Sequence, residues 1–101
     1  MRFTINREEF LKGITVASRA VNPKSPTPAL SNLKIDLNEN GLFITGSNYD
    51  LTIKTLVPYK IGEKEIIRNY KEGAVLINAR LITEIVRKLE SDEITIDVVD
   101  T

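Results

Sequence analysis

Two hydrophobic periods alternate along this chain, and the points where one gives way to the other mark its elements. "NLKIDLN" (Asn32 to Asn38) sets Leu33, Ile35 and Leu37 against Lys34 and Asp36, a period of two that predicts a half-buried strand. "LFITG" (Leu42 to Gly46) follows across the turn "NENG" as its hairpin partner, and "LTIKTLV" (Leu51 to Val57) is a further strand ended by Pro58. "RFTI" (Arg2 to Ile5), "AVLIN" (Ala74 to Asn78) and "EITIDVV" (Glu93 to Val99) read as strands too, with a short one over Glu65 to Arg68. The period becomes helical from Arg7 to about Val21, where Phe10, Leu11, Ile14, Ala17 and Val21 recur, and again from Ala79 to Leu89, where Leu81, Ile82, Ile85 and Leu89 form the apolar stripe. Asn6 is placed to cap the first helix, and Glu8 and Glu9 suit the positive end of its dipole.

Between the first helix and the strand at Asn32 lies "AVNPKSPTPALSN". Pro23, Pro26 and Pro28 fix φ and remove backbone donors, so neither a helix nor a central strand is expected to run through it. The loop is stiff and exposed, with Lys24 near its tip. It is either an ordinary helix-to-strand connection or a mount that holds a cation out toward phosphate.

The order strand, Asn, helix, strand occurs twice, at "FTIN-REEFLKGI" and at "VLIN-ARLITEIV". Three strands follow the first helix and one follows the second. The expected architecture is α+β: a repeated β-α-β-β-β unit, two helices packed on one face of antiparallel sheet, and a truncated second unit. Unit one takes residues 1–59 and the start of unit two takes 74–101. The chain reads as an incomplete domain with an unpaired sheet edge.

Composition narrows the function classes. With 101 residues, 42% hydrophobic and 28% charged, the chain is globular, and no apolar run approaches the roughly 20 residues of a membrane span. "MRFTINREEF" has acids and no apolar core, so it does not read as a signal peptide. Lacking cysteine, the chain has neither a disulfide framework nor a thiolate metal site, which fits a cytoplasmic setting. Lacking histidine, it loses the commonest general base and metal ligand. No nucleophile elbow, phosphate-cradling glycine loop or HExxH is present. "GSNYD" (Gly46 to Asp50) reads as a turn, and Asp36, Glu39 and Asp50 lie on separate elements without metal-ligand spacing. Neither catalysis, metal nor cofactor is expected.

The 14 basic and 14 acidic residues cancel, so any nucleic-acid role must rest on where the charges point. Projected at 100° per residue, Lys12 and Arg19 fall opposite the apolar side of the first helix, flanked by Glu8 and Thr15. Arg80 and Arg87 share the solvent face of the second, with Thr83 between them. Each pair is two turns apart, roughly 10 Å along the axis. Side by side, the helices form a cationic strip whose compensating acids lie mostly elsewhere, and Lys24 extends it. Such a strip is either a solvated helix face, with Glu84 pairing within one turn, or a phosphate-contacting surface that reads no bases.

These stretches together, "RFTINREEFLKGI", "PTPALSNLKID" with Lys24 before it, "GLFITGSNYDLTI", "GAVLINARLITEIVRKL" and "EITIDV", resemble the N-terminal part of the bacterial DNA polymerase III beta subunits, the replication sliding clamps. The family's loop usually reads R-T-T-L-P-I-L, against Lys24 to Leu30 here; lysine keeps the charge and loses arginine's bidentate fork. The resemblance implies a DNA-clamp fold, in which rings of two three-domain subunits encircle duplex DNA with helices lining the hole and sheets forming the wall. It implies a non-catalytic processivity factor whose Lys12, Arg19, Lys24, Arg80 and Arg87 contact phosphate. It also implies a homodimer as the full-length protein, with the replicative polymerase and clamp loader as partners and a peptide-binding cleft outside these residues. The competing expectation is a scaffold domain that binds proteins and no DNA.

Overall fold

Asn6 and Asn78 each open a helix. The Oδ1 of Asn6 accepts from the Glu9 N–H at 3.0 Å, and that of Asn78 from the Leu81 N–H at 3.0 Å. Each asparagine thus satisfies one of the amides that a helix start leaves without a partner. The computed structural model describes residues 1–22 and 24–99. Pro23, expected to lock φ at the start of the proline loop, and the last two residues of unit two lie outside the described residues.

The elements in order are β1 (Arg2–Asn6), α1 (Arg7–Ser18), α2 (Pro28–Ser31), β2 (Asn32–Asn38), β3 (Gly41–Ser47), β4 (Thr52–Val57), β5 (Lys60–Ile61), β6 (Lys64–Glu65), β7 (Ile67–Lys71), β8 (Gly73–Asn78), α3 (Ala79–Lys88) and β9 (Glu93–Asp97). They form a four-stranded sheet in the order β4-β3-β2-β8, a three-stranded sheet β7-β1-β9 and the ribbon β5-β6. Every pairing is antiparallel.

The repeat read from the sequence is a reciprocal exchange. β1 pairs with β9 from Arg2↔Asp97 to Asn6↔Glu93, and β8 pairs with β2 from Gly73↔Leu37 to Asn78↔Asn32. In both ladders the cap asparagine faces the first residue of the other unit's post-helix strand. The first strand of each unit is therefore completed by the other unit, in the same register.

The predicted alternation holds in β2, where Leu33, Ile35 and Leu37 are buried. Phe10, Ile14 and Ala17 of α1 join them, and the Phe10 ring meets Phe3 of β1 edge-on at 6.0 Å. α1 lies across β3 and β4. Gly13 permits that approach, since a Cβ there would sit 2.9 Å from Ile44 Cδ1.

Four expectations need correction. α1 ends at Ser18 and not Val21. The N–H groups of Arg19, Ala20 and Val21 donate to carbonyls three residues back, so the chain tightens before it leaves the helix. A single helical turn does form within the proline loop, because Pro28 stands at its first position, where the missing N–H costs no bond. The short strand begins at Ile67 and not Glu65, because Glu65 is held in the ribbon that turns at Gly62.

The fourth concerns the apolar stripe of α3. Ile82 is buried with Ala79 and Val86, whereas Leu81, Ile85 and Leu89 are 54%, 45% and 40% exposed. Counted from the cap asparagines, Ile85 and Leu89 match Gly13 and Ala17 of α1, which are buried beside β3 and β4. No described strand occupies the corresponding place over α3.

Candidate nucleic-acid interface

α1 and α3 pack antiparallel, and Arg7 fastens one end of the pair. Its Nε donates to the Val86 carbonyl at 2.8 Å and its Nη2 to the Arg87 carbonyl at 3.0 Å. Those carbonyls belong to the last turn of α3, where bonding partners run out and the dipole favours a cation. Sequence reading passed over Arg7. Its signal was a cation at the first position of a helix, where the helix's own dipole opposes it. At the other end Ser18 and Val21 line a groove of about 220 Å³ with Arg80, Thr83, Glu84 and Arg87.

The structure brings the strip residues together in two pairs. Lys12 and Arg19 share a shallow concavity with Glu8 and Thr15, and Arg80 and Arg87 share the interhelical groove. The acids are closer than expected. Glu9 Oε1 lies 3.2 Å from Lys12 Nζ, and Glu84 Oε1 lies 3.2 Å from Arg80 Nε. Spacing explains both, at i,i+3 and i,i+4 on their helices. Arg19 and Arg87 have no ion-pair partner among the described residues.

Lys24 stands exposed in the loop beyond the end of α1. The Asn22 N–H donates to the Leu30 carbonyl at 2.8 Å, and the Lys24 N–H to Asn22 Oδ1 at 3.2 Å, so hydrogen bonds supplement the prolines in shaping the loop. Gly46 of β3 passes beneath the end of α1, where a Cβ would meet the Ala17 carbonyl oxygen at 2.1 Å.

The remaining polar groups serve the fold. Asn48 Oδ1 accepts from the N–H groups of Asp50 and Leu51, both at 2.8 Å, which closes the turn between β3 and β4 at the end of "GSNYD", whose Gly46 and Ser47 still belong to β3. Tyr59 donates its hydroxyl to the Asn38 carbonyl, and burial, then the neighbouring Tyr70 and Glu72, push its pKa up to about 12. Among the described residues no group of three carboxylates, cysteines or histidines is placed to hold a metal. Among them, too, no helix is long and apolar enough to cross a membrane.

Arg68 on β7 grips Glu93 on β9 with two bonds of 3.0 and 2.9 Å, bridging the strands on either side of β1. Those hydrogen bonds hold the Glu93 carboxyl below the usual glutamate range. A depressed carboxyl stabilises the fold above its unfolded pKa and loses that contribution as pH falls through the folded value. Melting temperature should therefore drop on acidification below about pH 4.3, and E93Q should drop less steeply over the same window. Equal slopes would show that the pair adds nothing.

Two register-matched units, antiparallel sheets behind and a pair of antiparallel helices carrying cations in front, define a duplicated α+β domain of the DNA-clamp type. The chain belongs to the DNA polymerase III beta subunit family, whose N-terminal domain matches residues 1–101. It is 34% identical to the beta sliding clamp of Halalkalibacterium halodurans over 101 residues, all of this chain and 27% of that protein. It is 32% identical to the beta sliding clamp of Bacillus subtilis over 97% of this chain and 26% of that one. The crystal structure of the DNA polymerase sliding clamp from Bacillus subtilis superposes with a TM-score of 0.92 at 31% identity, covering 99% of this chain and 26% of that one. The chain thus spans about a quarter of the length of these relatives.

Proposed function

We propose that this chain is part of a DNA sliding clamp, a non-catalytic processivity factor that encircles duplex DNA and tethers the replicative polymerase in the cytoplasm. One observation carries the reading: a chain of zero formal charge gathers cations on the exposed side of two packed helices, away from the sheet. Such a surface meets phosphates without reading bases. Lys12, Arg19, Arg80 and Arg87 face the duplex, and Lys24 touches phosphate from the edge of the ring. The acidic excess elsewhere, which balances the strip in a chain of zero formal charge, keeps the contacts few, so retention comes from topology.

In this reading residues 1–101 are an incomplete first domain of three. Unit one spans about 1–59, and unit two, which starts at about 74, continues past Thr101. The matched registers support this, as do Ile85 and Leu89, which stand exposed where their counterparts in α1 are covered. The complete subunit forms a homodimeric ring and binds the polymerase and the clamp loader through a cleft in later domains.

Duplex binding of the full-length subunit tests the assignment. Each lost phosphate contact lowers the slope of log affinity against log salt by about 0.9. R19Q/R87Q should flatten that slope and weaken binding equally on unrelated sequences. An unchanged slope favours the alternative, a scaffold domain that binds proteins and no DNA.

A further inference from the structure

We infer that Glu9 and Glu84 limit the affinity of the strip for DNA: they occupy Lys12 and Arg80 so that the surface holds a duplex loosely enough to move along it. The inference rests on the sliding-clamp reading and concerns how firmly that surface grips.

Each helix carries two strip cations two turns apart. On each, one is committed to a carboxylate of its own helix and the other is not. Lys12 is held by Glu9 and Arg80 by Glu84, both at 3.2 Å, while Arg19 and Arg87 have no ion-pair partner among the described residues. Stability accounts for Glu9 in part, because it stands in the first turn of α1 with its side chain 25% exposed, but not for its pairing with Lys12 nor for Glu84. The side chains of Arg80 and Glu84 are 67% and 52% exposed, and that of Lys12 is 66% exposed. Ion pairs in such positions contribute little to folding.

Their effect on an approaching phosphate is larger. A committed cation must leave its carboxylate before it can bind, and the released carboxylate then repels the phosphate beside it. The pairs therefore cost affinity on every contact they touch. Two free cations and two committed ones give a shallow surface with few lasting contacts, which is what a moving ring requires. Four free cations would hold more phosphates at once and slow the ring.

The full-length subunit with E9Q, E84Q and E9Q/E84Q tests this, with E8Q as the control. Glu8 flanks the same strip but has no ion pair among the described residues. All three changes at these positions remove one negative charge and keep side-chain size. For two freed cations, duplex binding should tighten roughly tenfold at low salt, with a slope steeper by up to about 0.9 per cation. Loaded rings should also diffuse more slowly along stretched DNA. E8Q should change each quantity much less. Unchanged affinity and slope in E9Q/E84Q would overturn the proposal, and so would an E8Q effect as large as that of E84Q, which would reduce it to net charge. If E9Q disturbs the start of α1, as its melting curve would reveal, E84Q alone carries the comparison. Should the unmodified ring slip equally from circular and linear DNA, the clamp reading itself fails. Retention on circles with no response to E9Q/E84Q removes only the role of these two glutamates.

Discussion

Reversing charge at all four strip cations, K12E/R19E/R80E/R87E, should lower duplex affinity of the full-length subunit by at least about a hundredfold near physiological salt, while the protein still folds. On the proposed reading, up to four phosphate contacts would be lost and four repulsions would replace them. Proteins making about six to ten phosphate contacts lose on the order of 10³ to 10⁵ in affinity over a fourfold rise in salt. Removing and inverting four contacts belongs on that scale. The fold should survive because Lys12, Arg19, Arg80 and Arg87 are all exposed and belong to no core contact. Surface changes of this kind are each worth within about 0.5 kcal/mol of stability. The damage to the two helix pairs adds a few tenths more. Affinity measured beside a melting curve checks both halves. A protein that folds and binds duplex as before would leave the strip an ordinary solvated face.

Gly46→Ala should be the most damaging alanine substitution among the glycines of this fold. The added Cβ meets the Ala17 carbonyl oxygen at 2.1 Å and Val21 Cγ2 at 2.9 Å. The first contact is with backbone, which cannot rotate aside. Either α1 lifts from β3 or the strand is pushed out of register with β2 and β4, and both movements open the core around Ile14 and Ile44. The expected loss is about 3 kcal/mol or more, within the range that overpacking reaches when nothing yields. For a domain of this size that lowers the melting temperature by more than about 10 °C. Gly62→Ala is the useful contrast. That glycine has a positive φ of 62° but no atom near its would-be Cβ, so it should cost only about 1 kcal/mol of backbone strain. Similar losses at both positions would show that the close approach of β3 to α1 is not what matters.

Much of this fold is legible in the sequence because its signals are local. The alternation of Leu33, Ile35 and Leu37 identifies β2 and its buried face, and each asparagine before a helical period marks where α1 and α3 begin. The repeat is legible too, since strand, Asn, helix and strand recur in order. What the two copies do to each other is not. That β1 is completed by β9, and β8 by β2, depends on contacts between residues at least 36 positions apart, which no local window of sequence contains.

The exposed stripe of α3 has the same origin. Leu81, Ile85 and Leu89 have helical spacing and apolar side chains, but burial needs a partner surface as well as a pattern. The single turn at Pro28 has a different, local reason: proline breaks a helix in its interior but starts one at a first helical position.

The candidate site divides along the same line. Helical projection places Lys12 with Arg19 and Arg80 with Arg87, because faces of one helix follow from sequence alone. The pairing of Lys12 with Glu9 is also local and was open to view at i,i+3. The reach of Arg7 to the end of α3 was not, since it depends on how the helices cross. A basic residue at the start of α1, set against the dipole, was the sole hint.

The most direct test of the account loads the full-length subunit onto nicked circular DNA with its clamp loader, washes at high salt, and then cuts the circle. A sliding clamp stays on the closed circle and runs off once the DNA is linear. Equal retention on both forms, or equal loss from both, would contradict topological tethering and return the cations of α1 and α3 to an ordinary solvated surface.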